Sequence, residues 1–490
     1  MEARVNSAVI RGTLLLMIGQ IVFVLSGYVI NIMLSRQLGV EQYGIFGVVM
    51  SVLVWVELSV IVGIPTALQK FIGEDQSHAY ALRKVAFSMQ VKYSIVIFLL
   101  FFLSAGVLAD LLNDHSLAFY LRVASIDIVL YALYRLFINV HNGMKNFGKQ
   151  TLASIVYAVG KMVAIFVLVW QGMAVIGALI GNAIGSALGL VAAIFLKADV
   201  KPSEHKFERT KIIRYAAPII MFTLMINLFL SLDLWFVQSF LDSTSAGYYV
   251  AASTIAKAPY FLFLALSFTL LPSLAKAKKE NDSRRVQQLV WQSTRILLLS
   301  LSLIAILVIS TSAELIELLF TDLYAPATPV LQILICGLSF LTVFMVFTTM
   351  LNVDDRPSSS LWICAAVVAM NVAMNLWMVP KNGIVGAAWA TTLSTFAGMM
   401  WAGIVVYRKF GVALSLRAII RITVAAAVAF VLGKLMPDTI SLLLLKYAII
   451  TAAFGGMLFV LGEFRTEEIS QLKTALFSRS KGKAVVNSMS

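Results

Sequence analysis

About fourteen apolar stretches follow one another along this chain, each near the ~20 residues that a helix needs to cross a bilayer. They fall near residues 12–35, 43–67, 85–108, 117–140, 151–170, 173–196, 214–240, 246–274, 290–313, 325–350, 360–379, 383–406, 418–435 and 440–462. The pairs joined by only a few residues, such as 360–379 with 383–406, are the least sharply divided. With so many spans in 490 residues, little is left for a water-soluble domain. The chain is 60% hydrophobic and 13% charged, against about 25% charged in ordinary soluble domains, and its mean hydropathy is +0.91. The expected fold is therefore an all-α polytopic membrane protein. The first segment, preceded by Arg4 and Arg11 and followed by no small-residue cleavage pattern, reads as a retained helix.

The net charge of +14 suggests nucleic acid until its distribution is considered. Lys and Arg crowd into alternate connections, as with Lys70, Arg83 and Lys84, then Lys145 and Lys149, then 197–211, 276–285 and 408–417, and finally the tail. The intervening connections hold chiefly Arg36, Lys381 and Lys434. This is the positive-inside pattern; it places both termini in the cytoplasm of a cell-membrane protein and requires an even number of spans. The basic surface then faces cytoplasm and anionic headgroups, so membrane lipids are expected partners and nucleic acid is not. Cys336 and Cys364 fall inside apolar spans, and the four histidines show no ligand spacing, so no metal site is expected.

An internal repeat organises the spans. A shift of about two hundred residues lays Arg11 on Arg214, Leu38 on Leu241 and Gly44 on Gly247, and with a small insertion Pro65 on Pro272. An even number of spans per half gives a parallel repeat about an axis along the membrane normal. The expected layout is a six-helix lobe over 1–196, a polar linker at 197–213, a second pseudo-symmetric six-helix lobe over 214–406, two added spans over 407–462, and a cytoplasmic tail from 463.

Ionisable groups inside spans are costly and tend to mark polar paths. At 1.5 Å of rise per residue, Asp127 and Lys161 each lie about 15 Å from their own side of a core about 30 Å thick. They should meet at the midplane, either as a structural ion pair or on a cavity wall. Asp127, Tyr131 and Tyr134 share a helical face with Arg135 at its margin. Lys257 also lies near the midplane, with no acid of its own hairpin at that depth, because Asp233 falls toward the outer end of span seven. It is the leading candidate to grip an anionic group, with Lys161, Arg122 and Arg135 as further cavity cations. Glu57, Asp127 and Asp233 are the candidate cavity acids or coupling-ion sites, and Glu57 is a candidate partner for Lys257. Arg122, Lys92, Arg135 and Arg295 lie nearer span ends, where snorkelling is the default. Thr223, Asn227 and Ser231 form a polar stripe that suits either a path or interhelical hydrogen bonding.

Gly143-Met144-Lys145-Asn146-Phe147-Gly148-Lys149-Gln150 approaches a P-loop, but Gln150 stands where Ser or Thr must hold magnesium and no strand precedes it. It reads as a loop between two membrane helices.

Two segments carry a family resemblance. Leu38-Gly39-Val40-Glu41-Gln42-Tyr43-Gly44 follows the first span, and Asn382-Gly383-Ile384-Val385-Gly386-Ala387-Ala388-Trp389-Ala390-Thr391 opens the twelfth. Both resemble signatures of the polysaccharide-transport flippases within the multidrug/oligosaccharidyl-lipid/polysaccharide exporter superfamily. The resemblance implies two six-helix lobes in a V that alternate between inward- and outward-open states. It also implies a cargo, an undecaprenyl-pyrophosphate-linked oligosaccharide carried to the outer leaflet, and a lipid-tail groove at spans thirteen and fourteen. Other polysaccharide-assembly proteins are then expected partners, and no cofactor is called for. The driving force is either the membrane potential, about 2.3 kcal/mol per charge per 100 mV, or H+ or Na+ coupled through Glu57 or Asp127. An antiporter of the same superfamily would share the fold, but acids should dominate its cavity, whereas basic groups dominate here. A lipid II-type flippase differs only in cargo. A membrane polymerase or ligase needs a large outer loop, and every outer loop is short.

Overall fold

The computed structural model describes residues 2–198, 207–353, 358–412, 416–437 and 439–463. Most of the expected linker, the short cytoplasmic turn that the sequence suggests at Asp354-Asp355-Arg356-Pro357, and the tail beyond Glu463 lie outside the described residues. The elements, in chain order, are α1 (Glu2–Val62), α2 (Ile64–Glu74), α3 (Ala79–Leu111), α4 (Leu117–Gly143), α5 (Phe147–Leu168), α6 (Ala174–Phe195), α7 (Arg209–Phe240) and α8 (Ser243–Ala256). They continue with α9 (Ala258–Lys279), α10 (Ser283–Ser310), α11 (Ser312–Phe320), α12 (Thr328–Leu351), α13 (Ser358–Phe410), α14 (Leu416–Leu435) and α15 (Leu443–Val460).

Helix length fixes the number of passes. A straight 61-residue helix such as α1 would run about 90 Å, three times the hydrocarbon thickness, so it must fold back. It does so at Gly39, where φ is 75°, a left-handed conformation that glycine adopts without a Cβ penalty. The 53-residue α13 reverses in the same way at Gly383, with φ 59°, which separates the closely joined pair 360–379 and 383–406. These turns lie in the two segments that carry the family resemblance. With α1 and α13 each counted as two passes, α2 counted with the second pass of α1, α8 with α9 as one, and the nine-residue α11 left out as too short to cross, the described helices make fourteen passes. Side chains that a soluble protein would hide stand outward along them, among them Leu103, Trp170, Phe195 and Leu444, all more than 70% exposed. Exposed apolar surface on that scale belongs in lipid.

The chain divides into two compact units. The first comprises residues 1–257, 316–337 and 357–398. Within it, α6 lies against α5 along a glycine ladder. A methyl at Gly177 would meet Leu168, at Gly181 Ile165, at Gly185 Lys161 and at Gly189 Tyr157, each within 3.0 Å of the nearest atom. Ile64, Leu68 and Ile72 of α2 pack with Leu82, Leu136, Val140 and Ile212. The repeat-related Gly44 and Gly247 meet each other. A Cβ on Gly44 would stand 2.7 Å from the Gly247 nitrogen, and one on Gly247 would stand 2.1 Å from the Val40 carbonyl oxygen.

The turn at 38–44 is anchored within the same unit. Tyr43 is fully buried, donates to Asn31 Oδ1 at 2.9 Å and meets Tyr324 edge-on at 6.0 Å. The Tyr324 hydroxyl donates to the Ser35 carbonyl at 3.0 Å, and Arg36 Nε donates to the Leu319 carbonyl at 3.2 Å.

The second unit comprises residues 258–315, 338–356 and 399–490. Its apolar core joins Ile306 of α10, Ile422, Ala425 and Ala429 of α14, and Ile450, Phe454 and Leu458 of α15. Buried ion pairs stand at both ends of the α10–α15 contact. At one end the Lys446 ammonium meets Glu314, with both side chains at most 4% exposed. At the other, Arg295 Nε lies 3.1 Å from Glu463 Oε1, and Arg421 adds a contact of 3.3 Å to the second carboxylate oxygen. This corrects the snorkelling reading of Arg295. It is buried, held by an acid at the last described position, where the sequence suggests the start of a free tail.

Candidate functional site

Two buried polar clusters occupy the first unit. In the first, the second pass of α1 supplies Glu57, α4 supplies Asp127, α5 supplies Lys161, and α6 supplies Asn182 and Ser186. Glu57 and Asp127 are 3% and 2% exposed, and their carboxyl groups lie within hydrogen-bond reach of each other. Lys161 is close enough to feel both charges. The Asn182 amide donates to Asp127 Oδ2. Glu57 Oε1 and Asp127 Oδ1 are buried without a protein donor among the described residues. The depths agree with a shared layer, since Asp127 lies ten residues into α4 and Asn182 eight into α6, about 15 and 12 Å of rise. The glycine ladder sets this geometry: Gly185 lets α6 approach the Lys161 backbone to a distance no side chain would permit.

The tyrosine face expected on α4 stacks with a partner from α5. The Tyr134 and Tyr157 rings are 4.8 Å apart, and Tyr131 lies 5.6 Å from Tyr157. Arg135 is half-buried beside Tyr131 and Tyr134. Arg122 is not part of the cluster. It is exposed, with its guanidinium 5.9 Å from the Phe102 ring centre.

The second cluster surrounds Asp233 of α7. Tyr249 of α8 donates to Oδ2 at 3.1 Å, Asn371 and Asn375 of α13 donate to Oδ1 at 3.2 and 2.9 Å, and the Thr391 hydroxyl donates to Oδ2. Four donors, one from α8 and three from the two passes of α13, thus converge on a carboxylate that is 5% exposed. Lys257 is half-buried at the break between α8 and α9, close enough to feel the charge of Asp233. The reading of Lys257 as a cation with no acid of its own hairpin in range is therefore corrected; a long side chain spans the difference in depth that helix rise alone suggests. Glu57 is likewise relocated, since the structure sets it beside Asp127 and Lys161.

Asn182, Ser186, Asn371, Asn375 and Thr391 are absent from the sequence-derived candidates. Their signal was present in two places, as neutral polar residues four apart in apolar helices (Asn182 with Ser186, Asn371 with Asn375). The same spacing singled out Thr223, Asn227 and Ser231, of which Asn227 bonds within its own helix, to the Thr223 carbonyl at 2.9 Å. The Gly143–Gln150 stretch holds the last residue of α4, the turn at 144–146 and the first turn of α5; Gly143 packs against Ile72 and Gln69.

Fourteen passes with ionisable groups held at mid-depth define a polytopic membrane protein. A family model described as polysaccharide biosynthesis protein matches residues 9–278, more than half of the chain, and the chain belongs to this family. This agrees with the resemblance carried by the 38–44 and 382–391 segments. Among relatives, the probable low-salt glycan biosynthesis flippase Agl15 of Haloferax volcanii is 22% identical over 366 residues, 74% of this chain and 75% of that protein. An uncharacterized membrane protein of Methanocaldococcus jannaschii is 30% identical over 152 residues, 31% of this chain and 29% of that protein. The fold matches a lipid II flippase MurJ in an inward closed conformation, with a TM-score of 0.73 at 15% identity over 91% of this chain and 98% of that one. It also matches an inward-facing multidrug resistance MATE family transporter, with a TM-score of 0.67 at 13% identity over 80% and 96%.

Proposed function

We propose that this protein is a flippase that carries an undecaprenyl-pyrophosphate-linked oligosaccharide from the cytoplasmic to the outer leaflet of the cell membrane, by alternating access of two lobes at 1–196 and 214–406. The observation that carries the reading is the pairing of family membership with half-buried Lys257 deep in span eight, where an uncompensated cation would be expensive. Asp233 lies within electrostatic range of that ammonium, and in this reading the pyrophosphate offers it a stronger anionic partner when cargo arrives. The Lys and Arg asymmetry between connections supports cytoplasmic termini.

The coupling ion in this reading is a proton at the Glu57–Asp127 pair. Two ionised carboxylates are acceptors only, and like charges this close in a buried site cannot both ionise. One shared proton supplies the missing donor, and Lys161 balances the remaining negative charge. The same acidic pair supports a second reading, a proton-coupled exporter of cationic compounds on the same fold.

Lys257→Ala is expected to leave the protein folded while surface polysaccharide disappears and lipid-linked precursor accumulates inside; normal polymer in that strain would remove Lys257 from the mechanism. In proteoliposomes, the purified protein should expose a lipid-linked pyrophosphate oligosaccharide to an external glycosidase. Proton-driven export of organic cations with no effect on the sugar lipid would establish the second reading instead.

A further inference from the structure

A cavity of about 670 Å³ opens at the basic end of the first unit, away from both polar clusters. Three helix ends build it. Tyr80, Arg83, Lys84 and Phe87 come from the start of α3, Phe137, Val140 and His141 from the end of α4, and Ile194 and Lys197 from the end of α6. On α3 these residues follow the 0, 3, 4, 7 spacing of one helical face.

Polarity is graded along the membrane normal. Arg83 and Lys84 lie three to four residues nearer the basic face than Phe87, about 5–6 Å of rise. Ile194 stands in the same relation to Lys197. Phe87 and Ile194 are both exposed, at 41% and 46%. Cations at the rim with exposed apolar side chains one turn deeper is the order that a lipid presents, phosphate outermost and acyl chain beneath. Among the described residues no carboxylate lies within ion-pair reach of Arg83, Lys84 or Lys197; Arg83 instead stands 5.9 Å over the Tyr80 ring. The ends of α4 and α6 present carbonyls, whose partial negative charge retains cations here, and Lys149 already serves the last of them, donating to the Lys197 carbonyl at 2.9 Å. Three positive charges thus remain for an outside anion. Basic pockets between membrane helices on the cytoplasmic side are suited to anionic headgroups.

We propose that this cavity binds the phosphate of an anionic phospholipid from the cytoplasmic leaflet, with Arg83, Lys84 and Lys197 on the headgroup and Phe87 and Ile194 along the first methylenes. The site takes its leaflet from the orientation argued above and is independent of the transported cargo.

The test is native mass spectrometry and thermal unfolding of the purified full-length protein with phosphatidylglycerol, phosphatidylcholine or inorganic phosphate. Wild-type protein should retain phosphatidylglycerol in preference to phosphatidylcholine and unfold at a higher temperature with it. Each basic residue near an anionic surface contributes about a fivefold factor, so R83Q/K84Q/K197Q should weaken that binding by about a hundredfold. The exposed Lys84→Gln alone, a change that leaves the fold undisturbed, should give about fivefold. Equal retention of the two lipids by wild type, unaltered binding by K84Q, or full reproduction of the effect by inorganic phosphate would each overturn the proposal.

Discussion

Asp233 shows how a single buried carboxylate can organise several helices. Tyr249, Asn371, Asn375 and Thr391 all point donors at it, so its removal strands four polar groups in an apolar interior. Replacement by Asn is informative because it keeps the shape and reverses half of the chemistry: the new amide hydrogens must face two of the existing donors. A buried donor left without an acceptor costs about 1–3 kcal/mol, while hydrogen bonds between membrane helices average nearer about 0.6 kcal/mol. Asp233→Asn should therefore lower stability by about 1–2 kcal/mol, and Asp233→Ala by more. A thiol-reactive dye that reports heat-induced exposure of Cys336 and Cys364 would measure both, and an unchanged midpoint for Asp233→Ala would show that the cluster carries no net stability. At this scale the sequence was informative about which charges are embedded and much less so about what they touch. Lys161 could be placed level with Asp127 by counting residues. The position of Glu57 beside them could not, because its depth depends on how far the α1 hairpin projects, a tertiary quantity.

At the scale of elements, glycine sets which helices approach and where hairpins reverse. The ladder on α6 gives a sharp contrast. A side chain at Gly185 would place Cβ 2.4 Å from Lys161 Cβ, with the Lys161 Cα only 2.7 Å away, whereas Gly27 has open space around it. Gly185→Val should force α5 and α6 apart, lower the thermal midpoint and abolish transport, because the helix that moves carries Lys161. Gly27→Ala, on a comparable apolar helix, should be neutral or slightly stabilising, since Ala is the better helix former. Equal behaviour of the two variants in expression and melting would show that helix approach here is not limited by the glycine. The hairpins themselves were legible in the sequence: stretches too long for one crossing, interrupted by glycine, have only one arrangement in a bilayer. The pairing of α10 with α15 was not, since Arg295 and Glu463 are 168 residues apart and nothing local connects them.

For the molecule as a whole, the ion pairs of the second unit fix the two ends of α15. Lys446 is fully buried and Glu314 is 3% exposed. Breaking a buried pair from one side leaves an uncompensated charge, at a cost of about 3–5 kcal/mol, whereas replacing both partners with apolar groups is often neutral. Lys446→Met should therefore destabilise by about that amount, and the double change with Glu314→Leu should recover most of the loss. Melting of the four proteins in such a cycle measures the coupling, and simple additivity of the two changes would show that the pair is incidental.

The same pair gives the protein an order of assembly. Glu314 leaves the ribosome 132 residues before Lys446, so its carboxylate waits through the insertion of four further passes before its cation arrives. The second unit cannot be completed pass by pass as it is synthesised; it closes only when α15 enters the membrane. Loss of that helix is felt at a position laid down much earlier, and a chain cut short at the C-terminus exposes its incompleteness to the machinery that removes unfinished proteins.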